Sequence, residues 1–240
     1  MTRRPRGAPG GSPALLIAAL VVFVLVTVDV LAGGPLTHLD RSVSAWARST
    51  GLVGPGWEPP GRMVADQLVN FGAAEVAGVI VLVAIGWICV RGRTVGPLVR
   101  LAVLAGVTAS IVLSLKYGTG REAPSGVEGS QQFVSYPSGH TATAVILWGT
   151  LYSVVAEYSR YGVSRQVAWL LSWLAPLLVM VGMVLRDYHW VTDVVAAAAL
   201  CTVLLQAERL ALGHWRGARR RSGSADGARS AAVGSAPGPG

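Results

Sequence analysis

Two short stretches of the chain carry residue types that could handle a phosphate group. Ser138, Gly139 and His140 stand at the start of one apolar segment, and His189 precedes another, with Asp193 four residues later. The first backbone N–H groups of a helix are unpaired and carry a partial positive charge, so a helix that begins at Ser138 predicts an anion site. Gly139 would let a ligand approach that backbone closely.

The spacing of His189 and Asp193 predicts a partnership between them. Residues four apart share one face of a helix, so the carboxylate would hold the imidazole in one tautomer and stabilise its charged form. Together with His140, two imidazoles facing one pocket could act as a nucleophile and a proton donor. Structural alternatives exist for both stretches, because serine is a favoured helix cap and a His/Asp pair can be a simple hydrogen bond.

The composition is that of a membrane protein. Of the 240 residues, 52% are hydrophobic and 13% are charged, whereas soluble domains are about 25% charged. The net charge of +8 comes from arginines at the ends of apolar runs, where they orient a chain in a membrane. No basic patch has interleaved aromatic residues, so we expect the lipid bilayer and no nucleic acid as partner. Cys89 and Cys201 lie inside apolar runs and are expected to be packing residues.

Six apolar runs approach the length of about 20 residues that a spanning helix needs. A signal peptide is the alternative for the first run, but its length and Asp29 near its end favour a retained helix. Helical spacing of apolar residues over 36–46 predicts a short interfacial helix, followed by a Gly- and Pro-rich loop over 51–61. The predicted spans are 14–32, 73–90, 97–115, 138–156, 167–185 and 189–212.

The predicted fold is therefore all-α, a bundle of six transmembrane helices over residues 14–212 with one short interfacial helix. A basic N-terminus, 1–13, and a basic tail, 213–240, are expected to be disordered. Six spans leave both termini on the same side of the membrane.

Charge assigns the two sides. The arginines of both termini and of the loops 91–93 and 157–166 fall on one side, which the positive-inside rule identifies as cytoplasmic. Lys116, His140 and His189 then lie on the extracytoplasmic face of the cell membrane.

Ionisable groups at the ends of spans are costly unless they are paired or used. Three clusters lie there: Lys116 with Arg121, Ser138 with His140, and Arg186 with His189 and Asp193. Cations, a helix start and two histidines suit phosphoryl transfer, which depends on positioning and charge stabilisation. The pattern predicts surface loop positions for Glu122, Glu128, Asp187 and Tyr188.

These clusters resemble the motifs of the type 2 phosphatidic acid phosphatase superfamily, integral-membrane lipid phosphatases related to the vanadium haloperoxidases. The family pattern is Lys, six residues, Arg-Pro; then Pro-Ser-Gly-His; then Ser-Arg, five residues, His, three residues, Asp. The second motif is complete at 137–140, the first keeps Lys116 and Pro124, and the third keeps His189 and Asp193.

Two arginines of that pattern are missing. The first would fall at Ala123, and the Ser-Arg pair would fall at Gly182 and Met183. Arg121 and Arg186 lie close by in sequence, and we expect them to take over the phosphate contacts. The alternative is an impaired or repurposed site.

The resemblance implies a hydrolase that removes a terminal phosphate from a phosphorylated membrane lipid. Phosphatidic acid, phosphatidylglycerol phosphate and polyprenyl phosphates or diphosphates are the candidates. By the same resemblance His189 would form a phosphohistidine, Asp193 would orient it, and His140 would protonate the leaving oxygen and then activate water. The implied phosphate-binding residues are Lys116, Arg121, Ser138, Gly139 and Arg186.

No metal ion and no cofactor are expected, since cationic side chains would neutralise the phosphate, and vanadate should inhibit. Two other functions stay open at this point. One is a non-catalytic or transport protein that binds phospholipid headgroups, and the other is a phosphotransferase that uses an acceptor other than water. The sequence says nothing about oligomeric state.

Overall fold

A computed structural model describes residues 10–49, 59–72, 74–124, 134–159 and 161–234. Within these ranges the chain forms eight helices, and extended pairing is confined to one isolated bridge between Glu122 and Val134. The predicted all-α class is thus confirmed. The helices are α1 (Pro13–Ala32), α2 (Pro35–Ser49), α3 (Pro59–Asn70), α4 (Ala74–Gly92), α5 (Gly96–Thr119), α6 (Gly139–Tyr158), α7 (Gly162–Leu185) and α8 (Val191–Gly234).

Five segments of the described chain are long and apolar enough to cross a membrane. They are Pro13–Ala32, Met63–Gly92, Gly96–Thr119, Gly162–Leu185 and Val191–Ala218. The remaining predicted span, 138–156, corresponds to α6, which is more polar. Most residues of α6 are buried, because the helix packs against α4, α5, α7 and α8. An interior helix contacts protein instead of lipid, so its side chains need not be uniformly apolar.

Two regions differ in extent from the sequence prediction. The tail was expected to be disordered from residue 213, but α8 continues to Gly234. Alanine and arginine are strong helix formers, and Arg216 forms an ion pair with the buried Glu157 of α6, so the helix is extended beyond the apolar run. The predicted loop over 51–61 lies outside the described residues up to 58, and α3 already begins at Pro59. The predicted N-terminal segment is described from residue 10, and Ser12 caps α1.

Polar residues gather at two ends of the bundle, because α5 ends where α6 and α8 begin. At the end we call the site end, Arg121 after α5 bonds Thr192 at the start of α8, and Ser138 before α6 bonds Asp193. At the opposite end, Arg100 of α5 lies 3.0 Å from Glu157 and 2.6 Å from Glu208 of α8. These ion pairs tie α5, α6 and α8 together and keep their other ends in register.

Helix α1 contributes to the site end from outside the core. It packs against α8, and its Thr27 hydroxyl lies 2.6 Å from the hydroxyl of Tyr136. Tyr136 is fully buried just before α6, and this burial raises the pKa of its phenol, so the side chain stays neutral. The contact fixes the connection that leads into α6. Cys89 and Cys201 are free thiols buried in the core, in agreement with their predicted packing role.

Candidate active site

The start of α6 forms one wall of the site. Ser138 is its N-cap, and the Ser138 hydroxyl oxygen accepts a hydrogen bond from the Thr141 N–H at 3.4 Å. Ser138 is fully buried, so in this arrangement its hydroxyl serves the helix cap. Gly139 is partly exposed, and a Cβ built on it would meet nothing within 4 Å, so a ligand has room to approach this backbone.

The start of α8 forms the facing wall. The helix begins at Val191, two residues later than predicted, and His189 therefore precedes the helix. Asp193 is fully buried in the first turn, and its Oδ2 accepts from the Trp190 N–H at 3.1 Å and lies 3.3 Å from His189 Nδ1. The Asp193 carboxylate thus caps the start of α8 and also orients the His189 imidazole through Nδ1. The other ring nitrogen, Nε2, is then the one available to a substrate.

A backbone hydrogen bond joins the two walls. The N–H of Ser138 donates to the backbone carbonyl of Asp193 at 3.1 Å, so residues far apart in sequence are fixed against each other. His140 is close enough to His189 and to Lys116 for their charges to interact. The Asp193 carboxylate is in turn close enough to act on the charge of Lys116. The structure therefore brings Lys116, His140, His189 and Asp193 into one site.

Lys116 lies in the last turn of α5. Its ammonium donates to the backbone carbonyl of Val134 and reaches that of Ser135 at 3.5 Å. The side chain is therefore held over the connection that leads to α6, with capacity for a further hydrogen bond, since an ammonium has three donors.

A cavity of about 420 Å³ opens between α4, α5 and α6 next to these residues. Its walls are mainly apolar side chains of α5 and α6, and its polar end carries Lys116, Gly139, His140 and Glu75. An apolar groove that ends at a lysine, a helix start and a histidine can hold a molecule with an apolar chain and an anionic head.

Arg121 has different partners from those predicted. Its guanidinium donates to Asp193 Oδ1 at 2.6 Å, to the Thr192 hydroxyl at 2.6 Å and to Asp40 Oδ2 at 2.7 Å. It also lies over the Trp190 ring, 5.5 Å from the centroid. Arg121 thus contacts the carboxylate that orients His189, and its own contacts are to protein carboxylates.

Arg186 is also paired with a carboxylate. Its Nε lies 2.7 Å from Asp66 of α3, an ion pair that lacks the alignment of a good hydrogen bond. A terminal nitrogen of the guanidinium donates to the Tyr188 hydroxyl at 2.9 Å, and the guanidinium lies over that ring. The structure places Arg186 at the C-cap of α7, three residues before His189, and its partners there are protein groups. The predicted phosphate contact of Arg186 stays a prediction.

Asp187 was predicted to be a surface loop residue, and this is wrong. It is 6% exposed and has a left-handed backbone, with φ of 55°. Its carboxylate accepts from the Ser44 hydroxyl at 2.9 Å and forms an ion pair with Arg48, both on α2. Asp187 is therefore buried against α2, and its charge is paired with Arg48, a residue remote in the sequence. Glu122 and Tyr188 are exposed as predicted, and Glu128 lies outside the described residues.

Helix α2 supplies the residues that the sequence interpretation missed. A helix is present at the predicted position, and Asp40, Ser44 and Arg48 lie on one face of it. Asp40 contacts the start of α8, while Ser44 and Arg48 contact Asp187 in the turn between α7 and α8. Their spacing of four residues is a signal that the sequence contains. His38, on the exposed side, bonds Arg41.

The positions of the missing Ser-Arg pair are filled by helix packing. A Cβ on Gly182 would lie 2.9 Å from Leu68 Cβ and 3.1 Å from the Val69 nitrogen, so α3 and α7 are in backbone contact here. Met183 is 1% exposed in the core. These two positions therefore form a close helix–helix contact in this chain.

This packing predicts that restoring the family residues destabilises the protein. We expect Gly182→Ser to cost about 1–3 kcal/mol through overpacking and Met183→Arg several kcal/mol more through burial of a charge. Thermal unfolding in detergent measures both. Gly86→Ser is the matched control, because a Cβ there meets nothing within 4 Å and its stability should be unchanged. An active, equally stable double variant would contradict the packing argument.

In the described part of the chain, no group of three or more His, Cys, Asp and Glu side chains is arranged to hold a metal ion. The residues available for chemistry are thus imidazoles, a lysine and paired arginines.

Comparison with known proteins places this arrangement in context. Residues 97–214 match the model of the PAP2 superfamily. A search of curated proteins finds no significant match. The fold is similar to a solved transmembrane PAP2-type phosphatidylglycerolphosphate phosphatase from Bacillus subtilis, with a TM-score of 0.68 and 16% identity over 83% of this chain and 96% of that chain. At this level of identity the likeness concerns the fold.

Proposed function

Because the chain belongs to the PAP2 superfamily, the superfamily of type 2 phosphatidic acid phosphatases, we propose that it hydrolyses a terminal phosphate from a membrane lipid. The observation that carries this proposal is the apolar cavity of about 420 Å³ that ends at Lys116, Gly139 and His140. A lipid can keep its chain between α5 and α6 while its phosphate reaches the helix start.

The first chemical step is attack by Nε2 of His189 on phosphorus. The bond between phosphorus and the lipid oxygen breaks, and protonated His140 gives its proton to that oxygen. Asp193 keeps the proton on Nδ1 of His189 and stabilises the positive charge that develops on the ring.

The second step returns the enzyme to its starting state. Neutral His140 takes a proton from water, the water oxygen attacks the phosphohistidine, and inorganic phosphate leaves. Lys116 and the N–H of Gly139 would hold the phosphate oxygens in both steps. Ser138 supports this wall as the cap of α6. Arg186 would add positive charge beside His189, and Arg121 acts on Asp193.

Phosphatidylglycerol phosphate is the first candidate substrate, because a phosphatase for this lipid shares the fold. Phosphatidic acid and polyprenyl phosphates or diphosphates have the same combination of apolar chain and terminal phosphate. We propose further that α6 also crosses the membrane, which brings the number of spans to six, that both termini are cytoplasmic and that the site is extracytoplasmic. The arginines near the opposite end of the bundle, Arg91, Arg93 and Arg100, support this orientation.

A panel of these lipids, presented to the purified protein in mixed micelles, tests the proposal. We expect phosphate release from at least one lipid, inhibition by vanadate and no effect of a chelator. Vanadate should act because it can occupy the position of the transferred phosphoryl group on His189. Absence of phosphate release from every lipid would refute the hydrolase, and loss of activity in the chelator would refute the metal-independent mechanism.

A headgroup-binding protein without catalysis is the second candidate. The observation in its favour is that Arg121 and Arg186 are both engaged by protein carboxylates. Retention of phosphorylated lipids by the wild type without release of phosphate would support it. A phosphotransferase would instead transfer the phosphate to an added alcohol in the product analysis.

A further inference from the structure

We infer that Asp40 of α2 is a positioning residue of this site, which acts through Arg121 and Thr192 to hold Asp193 against His189. The inference rests on the proposed function and adds to it a residue from outside the family motifs.

The contacts of Asp40 are directed to the start of α8. Oδ1 accepts the Thr192 N–H at 3.0 Å, and Oδ2 accepts the Thr192 hydroxyl and, at 2.7 Å, the Arg121 guanidinium. The residue is 2% exposed. A buried carboxylate is retained only with partners that offset its desolvation, and all of the partners of Asp40 belong to the site.

The start of α8 needs an acceptor from elsewhere. The residue in the cap position is Trp190, whose side chain has no oxygen to accept a backbone N–H of the first turn. Asp193 reaches back to the Trp190 N–H, and Asp40 accepts the Thr192 N–H from another helix. The first turn of α8 is therefore capped by two carboxylates, Asp193 from the helix itself and Asp40 from α2.

Arg121 depends on the same carboxylate. One guanidinium lies between two buried carboxylates, with Nη1 on Asp193 and Nη2 on Asp40. Bidentate bridging fixes the plane of the guanidinium, so Asp40 determines how Nη1 meets Asp193. Without the second carboxylate, Arg121 would retain Asp193 and Thr192 but lose the contact that fixes its orientation.

Helix α2 is held in place by contacts that do not involve Asp40. Ser44 and Arg48 of the same helix bond Asp187, and Arg48 also donates to the Pro124 carbonyl. These contacts remain when Asp40 is changed, so α2 should stay in place. A change at Asp40 then reports on the site.

The test is Asp40→Asn, which keeps the shape and removes the charge. We expect kcat to fall roughly 10- to 100-fold, the usual cost of losing a group that orients an active-site residue. KM and the thermal midpoint should stay close to the wild-type values. The matched control is Asp29→Asn, the same change at a carboxylate that accepts from Thr37, and we expect its kcat to stay within about twofold. Wild-type kcat in Asp40→Asn, or an equal loss in both variants, would overturn the inference.

A double-mutant cycle identifies the path of the effect. In an Arg121→Gln background, the charge of Asp40 is buried beside a neutral side chain. The further change Asp40→Asn should then lower kcat by less than about threefold or raise it. Independent losses that multiply would show that Asp40 does not act through Arg121.

The affinity for vanadate tests the positioning role of Asp40 without a measurement of catalysis. We expect Asp40→Asn to weaken vanadate binding about tenfold, because the His189 imidazole is no longer held in place. Unchanged affinity would overturn the positioning role. Failure of the wild type to hydrolyse any lipid would refute the proposed function, and vanadate would still report on Asp40.

Discussion

His189→Ala is expected to lower lipid phosphate release by about 10⁴-fold or more, because removal of a covalent nucleophile leaves only binding and charge stabilisation. The imidazole is 11% exposed in its side chain and held by Asp193, a carboxylate with no exposure. His189 belongs to none of the apolar core clusters, so the folded state should be retained. Initial rates with the best lipid of the panel, at matched detergent and protein concentration, measure the effect.

His38→Ala is the matched control for this prediction. It is a histidine of α2, exposed and bonded to Arg41, and we expect wild-type rates from it. A rapidly quenched wild-type reaction should also contain an acid-labile phosphoprotein that His189→Ala lacks. Equal rates in wild type and His189→Ala would refute the nucleophile assignment, and a label that persists in the variant would assign it to another residue.

Local patterns in the sequence predicted two contacts at the site end. The cap at Ser138 and the contact between His189 and Asp193 both depend on residues close together in the chain. The apolar runs likewise predicted the all-α class, since each is a property of a single helix. The predicted span 138–156 is not among the five segments apolar enough to cross a membrane. The corresponding helix, α6, is surrounded by other helices, and this is a property of the assembled bundle that no single run of residues indicates.

The contacts of α2 could not be predicted from such patterns. Asp40 and Thr192 are separated by 152 positions in the chain, and nothing local indicates that an amphipathic helix will dock on the start of α8. The burial of Asp187 has the same cause, because its partners Ser44 and Arg48 are equally remote. The clue in the sequence was the four-residue spacing of Asp40, Ser44 and Arg48, which puts three polar side chains on one helix face but does not identify their partners.

Gly182 and Met183 show why a missing motif residue is ambiguous in a sequence. The absence of the Ser-Arg pair agrees equally with a lost site and with a rearranged one. In the structure the space is occupied by the contact between α3 and α7, and Arg186 reaches Asp66 of the same α3. In this chain the two positions therefore serve helix packing beside the site.

Arg121→Lys is expected to lower kcat by about 10²–10³-fold with little change in KM. Arg121 bridges three acceptors at once, Asp40, Thr192 and Asp193. A lysine carries one compact ammonium and lacks the planar fork, so it cannot replace this geometry although it keeps the charge. Steady-state kinetics over a range of substrate concentrations measure the two constants separately.

The division between kcat and KM distinguishes the two roles available to Arg121. If the guanidinium bound the phosphate in place of the arginine missing at Ala123, loss of ground-state binding would raise KM and weaken inhibition by free phosphate. If it holds Asp193, substrate binding is retained and the chemical step slows. A raised KM with normal kcat would therefore restore the phosphate-binding interpretation.

Arg121→Ala should add a loss of stability, because two buried carboxylates are left without their cation, at a cost of about 3–5 kcal/mol. Arg41→Ala on the exposed face of α2 is the control, and its kinetics and thermal midpoint should match the wild type. A fully stable Arg121→Ala would mean that Asp40 and Asp193 tolerate each other without a guanidinium. In that case the orientation of His189 would have to come from the Trp190 turn alone, and the contribution of α2 to the site would be reduced to packing.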